Sequence, residues 1–130
     1  MTSSAKRRSA LVVDDLDVMR RSVANLLRKQ DFGPVDEVSS GPDALDRIAA
    51  AGGYDLIVSD WNMDPMTGLE LLKAVRADLQ HSQSVFVLIT AEPTEAKQAV
   101  AEAAGVSGFL VKPFAASTLI SEIKKHFGGD

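Results

Sequence analysis

Five short apolar runs recur along this chain, each followed by a stretch whose apolar residues fall at helical spacing. The runs are Ala10-Leu11-Val12-Val13, Val35 to Ser39, Leu56-Ile57-Val58, Ser84 to Ile89 and Gly108-Phe109-Leu110-Val111. They are too short for helices and rich in β-branched residues, which suits strands. Between and after them run five stripes: Leu16, Met19, Val23, Leu26 and Leu27; Leu45, Ile48 and Ala49; Leu69, Leu72, Val75 and Leu79; Ala96, Val100 and Ala103; and Leu119, Ile120, Ile123 and Phe127. Each reads as the inward face of a helix. Pro42 is well placed at a helix start, Thr67 and Glu70 have capping-box spacing, and Thr94 is placed to cap the fourth helix. That fourth stripe is mostly alanine, so its helix should be weakly held. Strict strand–helix alternation argues an α/β fold with a parallel sheet and helices on both faces. The simplest doubly wound (βα)5 form with five strands is the flavodoxin-like order 2-1-3-4-5.

Length and charge narrow the rest. At 130 residues the chain is expected to form one domain, residues 10–128, after a polar N-terminal segment, residues 1–9. It has no cysteine, which excludes disulfides, zinc–thiolate sites and thiol nucleophiles. A net charge of −4 argues against a nucleic-acid-binding module, whose footprint should be basic. Lys6, Arg7 and Arg8 resemble the start of a signal peptide, but no apolar core follows them. Nothing reaches transmembrane length, so a cytoplasmic protein without membrane insertion is expected.

The candidate site lies where strands end. Leu56-Ile57-Val58 lacks polar alternation, as a central strand buried on both faces should, and it runs out at Asp60. In open α/β sheets, ligands bind at the carboxyl ends of strands. With strands one and three adjacent, Asp14 and Asp15 would meet Asp60 there. Like charges about 4 Å apart repel by about 4 kcal/mol at an effective dielectric near 20. Lys112, after the fifth strand, offers one positive charge against three negative, so a divalent cation is implied. The all-oxygen donor set selects a hard ion such as Mg²⁺. An Asp beside Mg²⁺ and Lys can act as a nucleophile towards a phosphoryl group, with Thr90 donating to one of its oxygens. Taken singly, each residue has a plainer role: Asp15 as a helix cap, Thr90 as a strand former, Lys112 as a solvated cation, and Trp61, Met63 and Met66 as packing.

The conjunction of Val12-Val13-Asp14-Asp15, Ser59-Asp60-Trp61-Asn62-Met63, Gly68-Leu69-Glu70-Leu71-Leu72, Ile89-Thr90-Ala91-Glu92 and Gly108-Phe109-Leu110-Val111-Lys112-Pro113-Phe114 resembles the receiver domain of bacterial two-component response regulators, in particular its single-domain chemotaxis members. The resemblance spans about Ala10 to Phe127. It implies that Asp60 is the phosphoacceptor for a sensor histidine kinase. It also implies that Asp15, Asp60 and the Asn62 backbone carbonyl bind Mg²⁺, with Asp14 acting through water. Thr90 and Lys112 would contact the phosphoryl group, Thr90 and Phe109 would form the switch, and Asn62 and Glu92 would tune phosphoryl lifetime. The Lys112–Pro113 bond should be cis. The expected role is a non-enzymatic, monomeric phosphoacceptor whose phosphorylation controls a partner such as a flagellar motor switch protein, with a phosphatase as a further possible partner.

Two positions depart from the family pattern: Asp64 stands before Pro65, and Thr67 stands before Gly68. A reshaped loop and an intact site are expected, with Asp64 adding negative charge near the metal. Phe109 stands where chemotaxis members have tyrosine. Other readings stay open. A phosphorelay intermediate, or a regulator of a non-flagellar partner, would carry the same site. A haloacid dehalogenase-type phosphatase also uses a post-strand Asp, but needs a second Asp where Asn62 stands. A flavodoxin would need a Ser/Thr/Gly-rich phosphate loop after strand one, and a pure interaction module would have no use for the reactive set.

Overall fold

β-branched and leucine-rich runs alternate with amphipathic stripes, and the computed structural model, which describes residues 7–128, folds them as strands and helices in turn. Most of the expected N-terminal segment, residues 1–6, lies outside the described residues. The elements are β1 (Ala10–Val13), α1 (Asp17–Lys29), β2 (Val35–Val38), α2 (Gly41–Ala51), β3 (Leu56–Asp60), α3 (Gly68–Ala77), β4 (Val85–Thr90), α4 (Glu95–Ala103), β5 (Gly108–Val111) and α5 (Ala116–Phe127). All four strand pairings are parallel and the order is β2-β1-β3-β4-β5. This is the expected flavodoxin-like sheet.

Side-chain alternation along the strands divides the core in two. Leu11, Val13, Ile57, Phe86 and Leu88 pack with Ile48 of α2, Leu71, Leu72 and Val75 of α3, and Ala101 of α4. Val12, Leu56, Val58, Val87, Ile89 and Leu110 pack on the other face with Val23 and Leu27 of α1 and Leu119 and Ile123 of α5. β3 is buried throughout, as a central strand covered on both faces must be.

Helix starts follow their caps. Ser40 accepts the Asp43 N–H at 3.2 Å, with Pro42 in the first turn. Thr67 and Glu70 form the reciprocal capping box, and Thr94 caps α4 through the Lys97 N–H. Stripes end less regularly. Leu79 is 93% exposed, outside α3 and not in its buried face. Asp78 ends the helix by accepting the Gln80 N–H at 3.0 Å and facing His81 Nδ1 at 2.8 Å, a local competition that Asp wins at helix ends. Leu16 likewise stands before α1 and is exposed, and Ala49 faces solvent.

α4 departs most. Ala96, Val100 and Ala103 are all exposed; Ala101 is the buried residue, flanked on its face by the half-buried Lys97 and Ala104. An alanine-rich helix carries little periodic signal, so Val100 misdirected the reading. The Lys112–Pro113 bond is cis, as are Gly33–Pro34 and Asp64–Pro65.

Candidate functional site

Four strand ends assemble the site. β1 passes the chain to Asp14, whose N–H donates to the Val38 carbonyl at 3.2 Å. Asp14 Oδ1 accepts the Leu16 N–H at 2.9 Å, an Asx turn that carries the chain into α1. Leu16 is the N-cap of that helix and has no side-chain capping bond, so Asp15 is not a cap; it is exposed. β3 pairs with β1 up to Val13 opposite Ser59, which sets Asp60 beside Asp14. One carboxylate oxygen from each of Asp14, Asp15 and Asp60 lies within 4.8 Å of the others.

β4 and β5 complete the edge. The Lys112 N–H donates to the Thr90 carbonyl at 2.8 Å, prolonging the ladder past β5. Lys112 Nζ then reaches Asp60 Oδ1 at 2.9 Å and approaches Asp14 Oδ2 at 4.0 Å. Burial pushes the Asp14 carboxyl up from its ordinary value. The Leu16 N–H opposes that shift, Asp60 adds to it, Lys112 opposes it, and Asp15 adds a little more. The donor set therefore fits a hard divalent cation: three carboxylates, two of them buried, face one ammonium, and burial of Asp14 disfavours its charged form until a cation offsets it.

An acid whose folded pKa is raised costs stability above that pKa. The cost fades as pH falls to the unfolded value of 3.8. Asp14→Asn is accordingly expected to raise the melting temperature in EDTA at neutral pH by a few degrees. The difference should close at acidic pH. Thermal unfolding across that range checks both signs, and an unchanged or lower neutral-pH midpoint would contradict the electrostatic account.

Around this centre, Thr90 is fully buried and its Oγ1 accepts the Glu92 N–H at 3.0 Å. Phe109 is half-buried and meets Trp61 edge-on, ring centroids 6.1 Å apart. Trp61 and Met63 are core residues and Met66 packs against them. Asn62 and Asp64 are exposed in the β3–α3 loop. That loop is pinned where the Gly68 N–H donates to the Trp61 carbonyl at 2.8 Å. A Cβ at position 68 would overlap the Asp60 carbonyl oxygen, so glycine lets α3 start directly against the Asp60 backbone.

Sequence reasoning passed over two residues. Lys97 of α4 places Nζ 3.0 Å from Glu92 Oε1 and 5.4 Å from the Trp61 ring centroid. Its available signal was only opposite charge, since Glu92 precedes the helix. Arg20 of α1 donates through Nη1 to the Asp14 carbonyl at 3.0 Å. It lies on the polar side of its stripe, where long stems can be buried without any hydropathy signal.

A (βα)5 sheet with three carboxylates, a buried threonine and a lysine at one edge defines a class, and residues 10–124 match the response regulator receiver domain; the chain belongs to that family. Among its relatives is the chemotaxis protein CheY of Pseudomonas aeruginosa, 43% identical over 117 residues, covering 90% of this chain and 94% of that protein. CheY-3 of Vibrio cholerae is 42% identical over 122 residues, covering 94% and 93%. The solved structure of V. cholerae CheY4 superposes with a TM-score of 0.86 at 33% identity, covering 92% of this chain and 98% of that one. The receiver domain of the Mycobacterium tuberculosis regulator NarL gives 0.85 at 25% identity, covering 97% and 100%. Among the described residues no helix is long and apolar enough to cross a membrane.

Proposed function

We propose that this chain is a single-domain response regulator that takes a phosphoryl group on Asp60 from a phosphohistidine of a sensor kinase and changes partner binding in response. The observation that carries this is Asp60 itself: buried, paired with Lys112 at 2.9 Å, and grouped with Asp14 and Asp15 at the sheet's carboxyl edge. A carboxylate oxygen of Asp60 forms the new bond to phosphorus as the P–N bond to the donor imidazole breaks, and the imidazole takes up a proton. Asp15, Asp60 and the Asn62 carbonyl would hold Mg²⁺ directly and Asp14 through water. The ion supplies charge stabilisation for the phosphoryl oxygens. Lys112 contributes to the same stabilisation, and the Thr90 hydroxyl donates to one of those oxygens.

The protein is then a phosphoacceptor and not an enzyme turning over a separate substrate. Asn62 and Glu92, exposed beside the site, set how readily water reaches the acyl phosphate. The names of the relatives at 43% and 42% identity support chemotaxis. Our reading adds a flagellar motor switch protein as the phosphorylation-dependent partner of a cytoplasmic, monomeric regulator.

Metal dependence tests the site. Labelling by a small-molecule phosphodonor should require Mg²⁺ and disappear in EDTA. Trp61, which adjoins Asp60, should report the ion by its emission. Asp15→Asn should weaken that Mg²⁺ titration by about 10-fold or more, because a charged ligand is lost. Labelling that survives EDTA, or an Asp15→Asn titration matching the parent, would defeat the assignment.

A further inference from the structure

The three carboxylates differ in how they are held. Asp14 is anchored at its N–H by Val38, at its carbonyl by Arg20 and at its side chain by the Leu16 N–H. Asp15 is exposed and lies immediately after that carbonyl, so the peptide plane between them orients it. Arg20 holds that plane. Its side chain is only 12% exposed, although arginine is rarely this buried without partners. The partners are present: Nη2 reaches Asp17 Oδ1 at 2.8 Å, Nε faces Glu37 Oε1 at 3.4 Å, and Nη1 is left for the Asp14 carbonyl. Glu37 sits on the edge strand β2 and is also faced by Arg21 and Arg28, so it gives the guanidinium a fixed seat.

We infer that Arg20 is a positioning residue for the divalent-cation site, orienting the Asp14–Asp15 peptide so that Asp15 presents its carboxylate to the ion. This rests on reading Asp14, Asp15 and Asp60 as that site. A planar fork suits the task because three acceptors in different directions must be met at once; an ammonium cannot hold all three in that geometry.

Charge and positioning predict opposite signs. Arg20 is a cation beside a cation site, so losing its charge alone would tighten Mg²⁺ binding. Losing the orientation of Asp15 would weaken it.

The experiment is a Mg²⁺ titration followed by Trp61 emission in the parent, Arg20→Met and Arg20→Lys, with thermal unfolding in EDTA as the check on folding. Arg20→Met is expected to weaken Mg²⁺ binding about 10-fold, the lower end for loss of an outer-shell partner. Arg20→Lys keeps the charge but gathers its donors on one nitrogen that cannot meet all three acceptors, so it should bind Mg²⁺ more weakly than the parent. Arg20→Met binding as tightly as the parent, or more tightly, overturns the inference. If that variant does not fold, Arg20→Lys decides: weaker binding supports the role and parental affinity overturns it. A parent with no Mg²⁺ response defeats the cation-site reading and takes this inference with it. A parental response with unaltered variants defeats the inference alone.

Discussion

Asp60→Asn is expected to abolish phosphoryl labelling, with loss to background and not a graded decline. The amide that replaces the carboxylate has no anionic oxygen to form an acyl phosphate, and no neighbouring group is placed to substitute. Asp14 is committed to the Leu16 N–H and is further from the Lys112 ammonium, at 4.0 Å against 2.9 Å for Asp60. Asp15 is exposed and has no ammonium partner among the described residues. The measurement is mass spectrometry after trapping the acyl phosphate, on parent and variant, with Mg²⁺ and a small phosphodonor. Parental labelling of the variant with no new site acquired would sink the assignment of Asp60.

Thr90→Ala should separate phosphorylation from output. The Thr90 hydroxyl is buried and serves as acceptor for the Glu92 N–H, so it ties the strand end to the loop that leads into α4. Drawing the hydroxyl towards a phosphoryl oxygen loosens that tie. α4, with Ala101 as its buried residue, would follow, and the half-buried Phe109, edge-on to Trp61, would be the side chain that repacks. The shift is limited by the phosphoryl group's differential interaction with the two states. Coupling of this kind is about 1–3 kcal/mol, or roughly 5- to 150-fold in partner affinity. The parent should therefore bind a motor-switch peptide about that much more tightly when beryllofluoride occupies Asp60. The alanine variant should accept the mimic and show little of the gain. A full gain in Thr90→Ala would remove Thr90 from the switch. No gain in the parent would end the motor-switch reading, and phosphoryl transfer onward to a histidine-containing protein would then be the leading role.

Much of this was legible locally. Strand runs, cap residues and the five motif segments depend on neighbours a few residues apart: Pro42 falls in the first turn of its helix, and Thr67 and Thr94 cap as their spacing says. The strand order followed from alternation, because parallel neighbours need crossovers and two-sided cover leaves few arrangements.

Features carried by single polar side chains were not legible. Asp15 reads as a cap until Asp14 is seen taking the Leu16 N–H, since both can satisfy the start of α1. Val100 reads as buried until the face of α4 is set by Ala101 and the Lys97 stem, because hydropathy ranks the valine above both. The sequence alone determined which elements form and which carboxylates end them. Tertiary structure decided which long side chains are drawn between elements. Arg20 could add Glu37 to the nearby Asp14 and Asp17 as its acceptors only once β1 and β2 had paired beneath α1, for an arginine stem has reach in every direction and no period to betray its choice.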